Sequence, residues 1–259
     1  MVEETKRVYD YIAKQWDASR PVLRLERQEL AGEVQPGQKI LDIGCGNGVL
    51  YEFLAPKSID YVGLDLSREL LKIARKRAKE AALLISSRAK PPARGRVEGS
   101  GLSKFKFILG ETTSLPFKDN TFDWVFALAV YHHLPSAAWR LKALKEAWRT
   151  LKPGGRIAIT VWNLLSSDFR ERYKITKEAT DVFIPWKATG PKAVLRYIHI
   201  FKKQELHDLL KQAGFKKIKI DYAYREAPPS DDKKKAGGAR GRDLIALAYK
   251  RKNHVFRGR

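Results

Sequence analysis

Three glycines at alternate positions, Gly44, Gly46 and Gly48, follow the apolar run Lys39-Ile40-Leu41-Asp42-Ile43. Without a Cβ, glycine tolerates positive φ and lets a backbone turn tightly and approach a ligand. A second apolar run, Tyr61-Val62-Gly63-Leu64, ends in Asp65, seventeen residues after Gly48. A carboxylate at the end of such a strand suits a bidentate grip on two ribose hydroxyls. The pattern is D-x-G-x-G-x-G. A dinucleotide fingerprint would read G-x-G-x-x-G, and here Val49 and Tyr51 stand where its third glycine would fall. The single cysteine, Cys45, lies inside the turn with no activating partner that a thiolate nucleophile would need.

The elements around the turn must deliver these groups to one place. Apolar positions at Val8, Tyr11, Ile12 and Trp16 give residues 3–16 a helical rhythm. A second helix is expected from Pro21, which suits a first turn, to Gly32, which suits an end. Strand and helix patterns then alternate: strand 39–43, a helix from about Asn47, strand 60–65, and a long helix capped by Ser67. In that helix Leu70, Leu71, Ala74 and Ala78 form an inner stripe, and a basic solvated face lies opposite. Strand 105–109, the buried run Phe122 to Val130, a helix over 136–151 stopped by Pro153-Gly154-Gly155, and strand 156–162 follow. Residues 164–200 read as irregular or helical. A helix over 202–213 and two strands, Lys216–Tyr224 and Leu244–Tyr249, close the chain. Residues 86–104 read as a mobile basic insertion and 226–242 as a flexible loop. Alternating βα units with a late strand pair predict one Rossmann-like α/β domain: a doubly wound, mostly parallel seven-stranded sheet with N-terminal helices. Ligands in such sheets bind at the carboxyl ends of the strands. Asp42, Asp65, Glu111, Ala129 and Trp162 all fall near predicted strand ends.

Composition narrows the function classes. With 259 residues and 44% apolar content, one domain with insertions and a full core is expected. One cysteine excludes an internal disulfide and a cysteine-built zinc site. No apolar run reaches the roughly 20 residues that span a bilayer, and the acidic start does not read as a secretory signal, so the cytoplasm is the expected location. The net charge of +22 draws polyanions, nucleic acid first and an anionic membrane surface second. The basic clusters expected to serve it are Arg88 to Arg96, Lys233 to Lys235 and Lys250 to Lys252.

The D-x-G-x-G-x-G turn with Asp65 resembles motif I of class I S-adenosylmethionine (SAM) methyltransferases, and Gly110-Glu111-Thr112 resembles their Gly-Asp-Ala loop, with an acid one methylene longer. The run Ala129-Val130-Tyr131-His132-His133-Leu134, then Leu151-Lys152-Pro153-Gly154-Gly155, Val161-Trp162 and Arg196-Tyr197-Ile198-His199-Ile200-Phe201 are similar to one branch. So is Arg20 after Ala18-Ser19. That branch is the tRNA wobble-uridine 5-carboxymethyl methyltransferase family, related to the methyltransferase domain of the AlkB-like tRNA hydroxylase. After Trp162 the branch reads Ala-x-x-Gln, and Asn163-Leu164-Leu165-Ser166 departs from it.

The resemblance implies a fold, a cofactor and a set of roles. SAM would be held by Asp42, Gly44, Gly46, Gly48, Asp65, Leu66, Glu111, Thr112 and Ala129. The product would be the methyl ester of 5-carboxymethyluridine in a tRNA anticodon loop. A carboxylate with a reference pKa near 4 is ionised at neutral pH and needs orientation, not a base. Arg20 and Arg196 would supply that orientation as forks. His133 and His199 would hydrogen-bond the uracil or the carboxylate, and Trp162 and Tyr197 would stack on a base drawn out of its loop. Trp124, Trp139 and Trp148 are expected to be structural, and Trp186 to be a lid or a core plug. Members of the family work with a small zinc-binding activator that covers an apolar sheet edge. The alternative function is SAM-dependent methylation of a small molecule, since fold and cofactor motif do not fix the substrate.

Overall fold

The computed structural model describes residues 2–88, 103–186, 194–223 and 243–252. Five parallel strands form the centre of a seven-stranded sheet: β1 (Lys39–Ile43), β2 (Asp60–Asp65), β3 (Lys104–Leu109), β4 (Phe122–Leu128) and β5 (Leu151–Trp162). A separate pair, β6 (Asp181–Trp186) and β7 (Val194–His199), comes next in the chain. Then β8 (Lys216–Tyr222) and β9 (Asp243–Tyr249) add antiparallel to β5. The order across the large sheet is β3-β2-β1-β4-β5-β9-β8.

Strand alternation feeds one core on each face. Leu41, Ile43, Val125, Ala127, Ile157 and Ile159 point to one face and meet α5 (Ala137–Thr150) and α7 (Lys203–Gln212). Ile40, Trp124, Phe126 and Ala158 point to the other, under α2 (Leu25–Gly32), α3 (Val49–Leu54) and α4 (Arg68–Arg88). Strands covered on both faces must be apolar throughout, which explains the unbroken run in β4. The hydroxyl of Ser67 accepts the Leu70 N–H at 3.1 Å, so the expected cap of α4 is made. The first helix, α1 (Val2–Ala18), lies across α4. No helix among the described residues is long and apolar enough to cross a membrane.

Several expectations are corrected. The second helix starts at Leu25 rather than Pro21. Residues 164–200 hold a short helix, α6 (Ser167–Tyr173), and the β6–β7 ladder, so this segment is partly sheet. Its alternation is masked in the sequence because Ile184 and Ile198 pack into a small cluster of their own with Trp162 and Leu164. The proposed basic insertion is shorter than 86–104: Ser86 and Ser87 belong to α4, and Ser103 is buried, its hydroxyl donating to the Ala55 carbonyl at 2.6 Å. Residues 226–242 and the clusters Arg88 to Arg96 and Lys233 to Lys235 lie outside the described residues, except for the backbone of Arg88 in α4. Trp124 is fully buried, but Trp139 is 38% exposed and so is not a core residue.

Lys250 is also reassigned. It is not a surface cation. Its ammonium donates to the carbonyls of Trp148 (3.0 Å) and Leu151 (2.8 Å) and to Asn120 Oδ1 (2.8 Å), and sits 4.0 Å from the Trp148 ring centroid. It closes the carboxyl end of α5, where orphan carbonyls and the helix dipole favour a cation. Lys250→Met should therefore lower unfolding stability by about 2–4 kcal/mol, because several buried acceptors lose their donor. A urea midpoint unchanged in that variant would refute the assignment.

Candidate active site

The parallel strands share one polarity, so Asp42, Asp65, Gly110-Glu111, Ala129 and Trp162 gather along one edge of the sheet. Gly44, Gly46 and Gly48 all take positive φ (66°, 55° and 80°). A Cβ on Gly44 would fall 2.4 Å from Val130 Cγ2, so no side chain fits there. Asp65 ties the turn to the next helix: Oδ2 accepts the Gly46 N–H and Oδ1 the Ser67 N–H, both at 2.8 Å. Burial still raises its carboxyl to about 6, against the pull of those two donors. Asp42 is buried and accepts the Tyr61 hydroxyl at 2.6 Å; burial raises it to about 7. Ala129 holds φ +63°, its N–H shared by the carbonyl (2.8 Å) and hydroxyl (3.0 Å) of Thr160. Such a conformation costs roughly 1–3 kcal/mol and marks functional sites. Burial pushes the Cys45 thiol far up, which fits its reading as an inert residue.

A cavity opens over this edge. It is lined by Gly44, Gly46, Asp65, Leu66, Glu111, Thr112 and Ala129, and roofed by Tyr9 and Trp16 of α1. Eight of the nine residues expected to hold the cofactor thus lie on or beside it, Asp42 on the adjoining cavity with Arg20. Gly48 does not line it. Its Cβ would meet Ala74 of α4 at 3.1 Å, so this glycine serves helix packing. The cavity fits a nucleoside with a polar tail: it offers an acidic acceptor in Asp65, the acid Glu111, a close backbone approach at Gly44 and Gly46, and a buried Thr112 hydroxyl without a partner among the described residues. Glu111 is engaged by the Thr113 hydroxyl.

Beside it lies a second cavity lined by Tyr9, His133, Phe183, Arg196 and Tyr197. Arg196 is 5% exposed, and its guanidinium sits 4.9 Å from the Trp186 ring centroid and 5.1 Å from that of Trp162. Stacking uses the faces of the guanidinium and leaves its in-plane N–H edge for an anion. Nε and Nη1 have no hydrogen-bond partner among the described residues. The stack continues outward. Trp186 lies 5.6 Å from Trp16, whose ring carries the Arg20 guanidinium at 3.6 Å, and Trp162 stacks on Phe169 at 5.9 Å. Burial lowers Arg20 to about 10.

The histidines divide sharply. His133 Nδ1 faces the Tyr197 carbonyl at 2.9 Å, so it must carry the proton; Nε2 then accepts the Tyr9 hydroxyl at 2.8 Å. Burial lowers its pKa to about 4, and this neutral tautomer is locked in place. His199 is turned away from the cavity. Its ring nitrogens face Asp181 (3.0 Å) and Glu205 (2.8 Å), where it joins β7 to α7. Tyr197 presents its carbonyl to His133, while its hydroxyl is held by Asp181 and its ring meets Phe183 edge-on. The structure therefore brings Arg196, His133 and Tyr197 to one cavity with Trp162 behind the guanidinium, places Arg20 on the adjoining cavity with Asp42, and leaves His199 as a support. Sequence reasoning missed Tyr9 and Trp16, which look like ordinary core positions of α1, and left Trp186 open. Trp186 is neither plug nor free lid. It sandwiches Arg196, and its indole N–H donates to Gln15 at 3.0 Å.

A buried guanidinium with two unpartnered nitrogens is a stability burden that a ligand would relieve. Arg196→Met, which keeps the bulk between the two indoles, should leave the ligand-free protein unchanged or stabilise it by about 1–2 kcal/mol. A loss above 2 kcal/mol in thermal or chemical unfolding would mean that the side chain is internally satisfied.

Comparison with known proteins agrees with this geometry. The family model described as a methyltransferase domain matches residues 41–159. A protein of Encephalitozoon cuniculi named as a methyltransferase is 33% identical over 181 residues, 68% of this chain and 70% of that one. The tRNA (carboxymethyluridine(34)-5-O)-methyltransferase of Schizosaccharomyces pombe is 27% identical over 235 residues, 82% of this chain and 88% of that one. The chain spans only 30% and 39% of the length of two longer curated relatives that it also matches. A Haloferax volcanii chain, solved in complex with the Trm112 methyltransferase activator, shares the fold with a TM-score of 0.65 at 19% identity, covering 96% of this chain and 99% of that one. Glycine turn, Asp65, sheet order and relatives together place the chain in the class I SAM-dependent methyltransferases.

Proposed function

We propose that this chain methylates the carboxylate of 5-carboxymethyluridine at the wobble position of a tRNA anticodon loop. The observation that carries the reading is Arg196: a buried guanidinium beside two indole rings, its Nε and Nη1 unpartnered among the described residues, lining the cavity next to the cofactor site. Free N–H donors on a planar guanidinium match a carboxylate in charge and geometry. SAM, when bound, supplies a methyl group activated by a sulfonium. Asp65 would accept its ribose hydroxyls, Glu111 and Thr112 would face its adenine, and the Gly44–Gly46 backbone would approach its amino-acid end. The chain's own task is orientation, worth far more here than acid–base help, because the nucleophile is already ionised. Tyr9 belongs to the same unit. Its hydroxyl, fixed by His133, also lies within hydrogen-bond reach of Arg196.

The +22 charge supports a nucleic-acid substrate over a small neutral one, and the name of the Schizosaccharomyces pombe relative supports the carboxymethyl substrate. We also place a small zinc-binding activator among the partners. β3 is a sheet edge, and Leu109 on it, with Leu83 and Leu84 on the adjoining α4, is exposed. Open edges of this kind need a cover.

Arg196→Lys should lose most activity on 5-carboxymethyluridine tRNA while SAM affinity stays put, because lysine keeps the charge but not the planar fork. Normal turnover in Arg196→Ala would end the reading. Asp65→Ala should weaken SAM by more than tenfold, a loss of roughly 1.5–3 kcal/mol for a charged acceptor. In the intact protein, calorimetric SAM affinity should fall as pH drops from about 7 to about 6, where Asp42 and then Asp65 gain protons and stop accepting. Turnover at saturating SAM should show no step near pH 6.5, since His133 titrates at about 4. A step there would point to a histidine base instead.

A further inference from the structure

At the opposite end of the sheet from the glycine turn lies a basic depression that the chemistry above does not use. Arg156, Lys216, Lys217, Arg251 and Lys252 line it, with Tyr249 and Gly154. The sheet register builds it: Tyr249 pairs with Arg156 on one side and Lys216 on the other, so β5, β8 and the residues that follow β9 bring their cations to one place. A ladder irregularity between Lys216 and Lys219, with Lys217 at φ +51°, exposes both Lys216 and Lys217. Lys252 lies flat across Gly154, where a Cβ would come within 3.1 Å of its stem. Arg156 pairs with Glu33 and rests 5.2 Å from the Tyr249 ring centroid. Lys216, Lys217, Arg251 and Lys252 are exposed, and none has a carboxylate within 4 Å among the described residues. Four uncompensated cations in one hollow raise its potential and attract an anion. None of the exposed large apolar side chains lies in the hollow, so it lacks the anchors by which proteins enter a bilayer surface.

Its distance from the candidate active site suggests what the anion is. Arg156 and Trp162 are six residues apart on β5, about 20 Å at roughly 3.3 Å per residue. That span is several base-pair steps of a nucleic-acid helix, so a stem held here and a base in the Arg196 cavity can belong to one RNA. We propose that this depression binds the phosphate backbone of the helical tRNA stem adjoining the loop whose base enters the Arg196 cavity. The inference rests on the tRNA reading above. Recognition here is by shape and charge, because a base-paired RNA stem hides its base edges from side chains.

The test uses the full chain and a variant with Lys216, Lys217, Arg251 and Lys252 all changed to alanine. Binding to a full tRNA transcript and to a short single-stranded anticodon-loop oligonucleotide is followed across salt concentration. Each lost phosphate contact should flatten the log–log salt slope by about 0.9 for a duplex, so the slope for full tRNA should fall by about 3–4. Affinity for full tRNA should drop at least tenfold, affinity for the oligonucleotide should hold, and KM for tRNA should rise with kcat unchanged. A control with Lys216, Lys217 and Lys252 changed to arginine should keep the slope. Identical slopes for wild type and the alanine variant would overturn the proposal while leaving the tRNA reading intact. Salt-insensitive or absent RNA binding by the wild type would sink the tRNA reading itself. Loss of binding to phosphatidylserine vesicles in the alanine variant, with RNA binding untouched, would reassign the surface to membranes and also overturn the proposal.

Discussion

Asp65 is the joint on which the site hangs. One carboxylate oxygen holds the Gly46 N–H and the other the Ser67 N–H. Ser67 in turn caps α4 and donates its hydroxyl to Asp10 of α1 at 2.6 Å. A single side chain at a strand end thus fixes the glycine turn, the start of the next helix and, one bond further, the roof. Such a group is already ordered before a ligand arrives, so the ligand does not bear the entropy of ordering it. Its elevated pKa shows the cost of keeping the acceptor buried.

The roof is held by polar bonds as well as by the buried Val8, Ile12 and Ala13. Asp17 of α1 accepts from Asn47 in the glycine turn and from Arg77 of α4, both at 2.8 Å. Asn47 also donates to the Arg20 carbonyl at 3.0 Å, setting where the chain leaves the helix. Tyr9 and Trp16 are carried on that helix. Tyr9 stands where the cofactor cavity meets the cavity of Arg196, and Trp16 where it meets the cavity of Arg20. The position of α1 therefore couples the two cavities, and its bonds are of the kind that open at modest cost.

Arg196 shows the opposite economy. Its two indole neighbours stabilise the cation without using its hydrogen-bonding edge. A salt bridge in the same place would satisfy the edge and disable it. Supporting charges are kept off it: Asp181 and Glu205 are engaged by His199, and Asp181 also by Tyr197. Unmet donors in a buried site are destabilising in isolation and are tolerated where binding offsets them.

Local pattern carried much of this protein. The glycine turn, the strand-end acids and Ser67 are short-range features, and their spacing along the chain is itself the chemistry they support. Alternation and helical rhythm located most elements of the large sheet because each buries a continuous face. What tertiary structure decided was juxtaposition across long separations. Tyr9 meets His133 across 124 positions, and Trp186 meets Gln15 across 171. Nothing in the local sequence distinguishes Tyr9 or Trp186 from core residues. Lys250 looked like one of three surface cations and is instead a buried helix cap, because strand register, not composition, brings it under the end of α5. His199 carried the same motif as Arg196 but, three positions on, fell on the other face of β7, since successive side chains of a strand alternate sides. Sequence determined which groups could do the chemistry; the register of the sheets decided which of them face it.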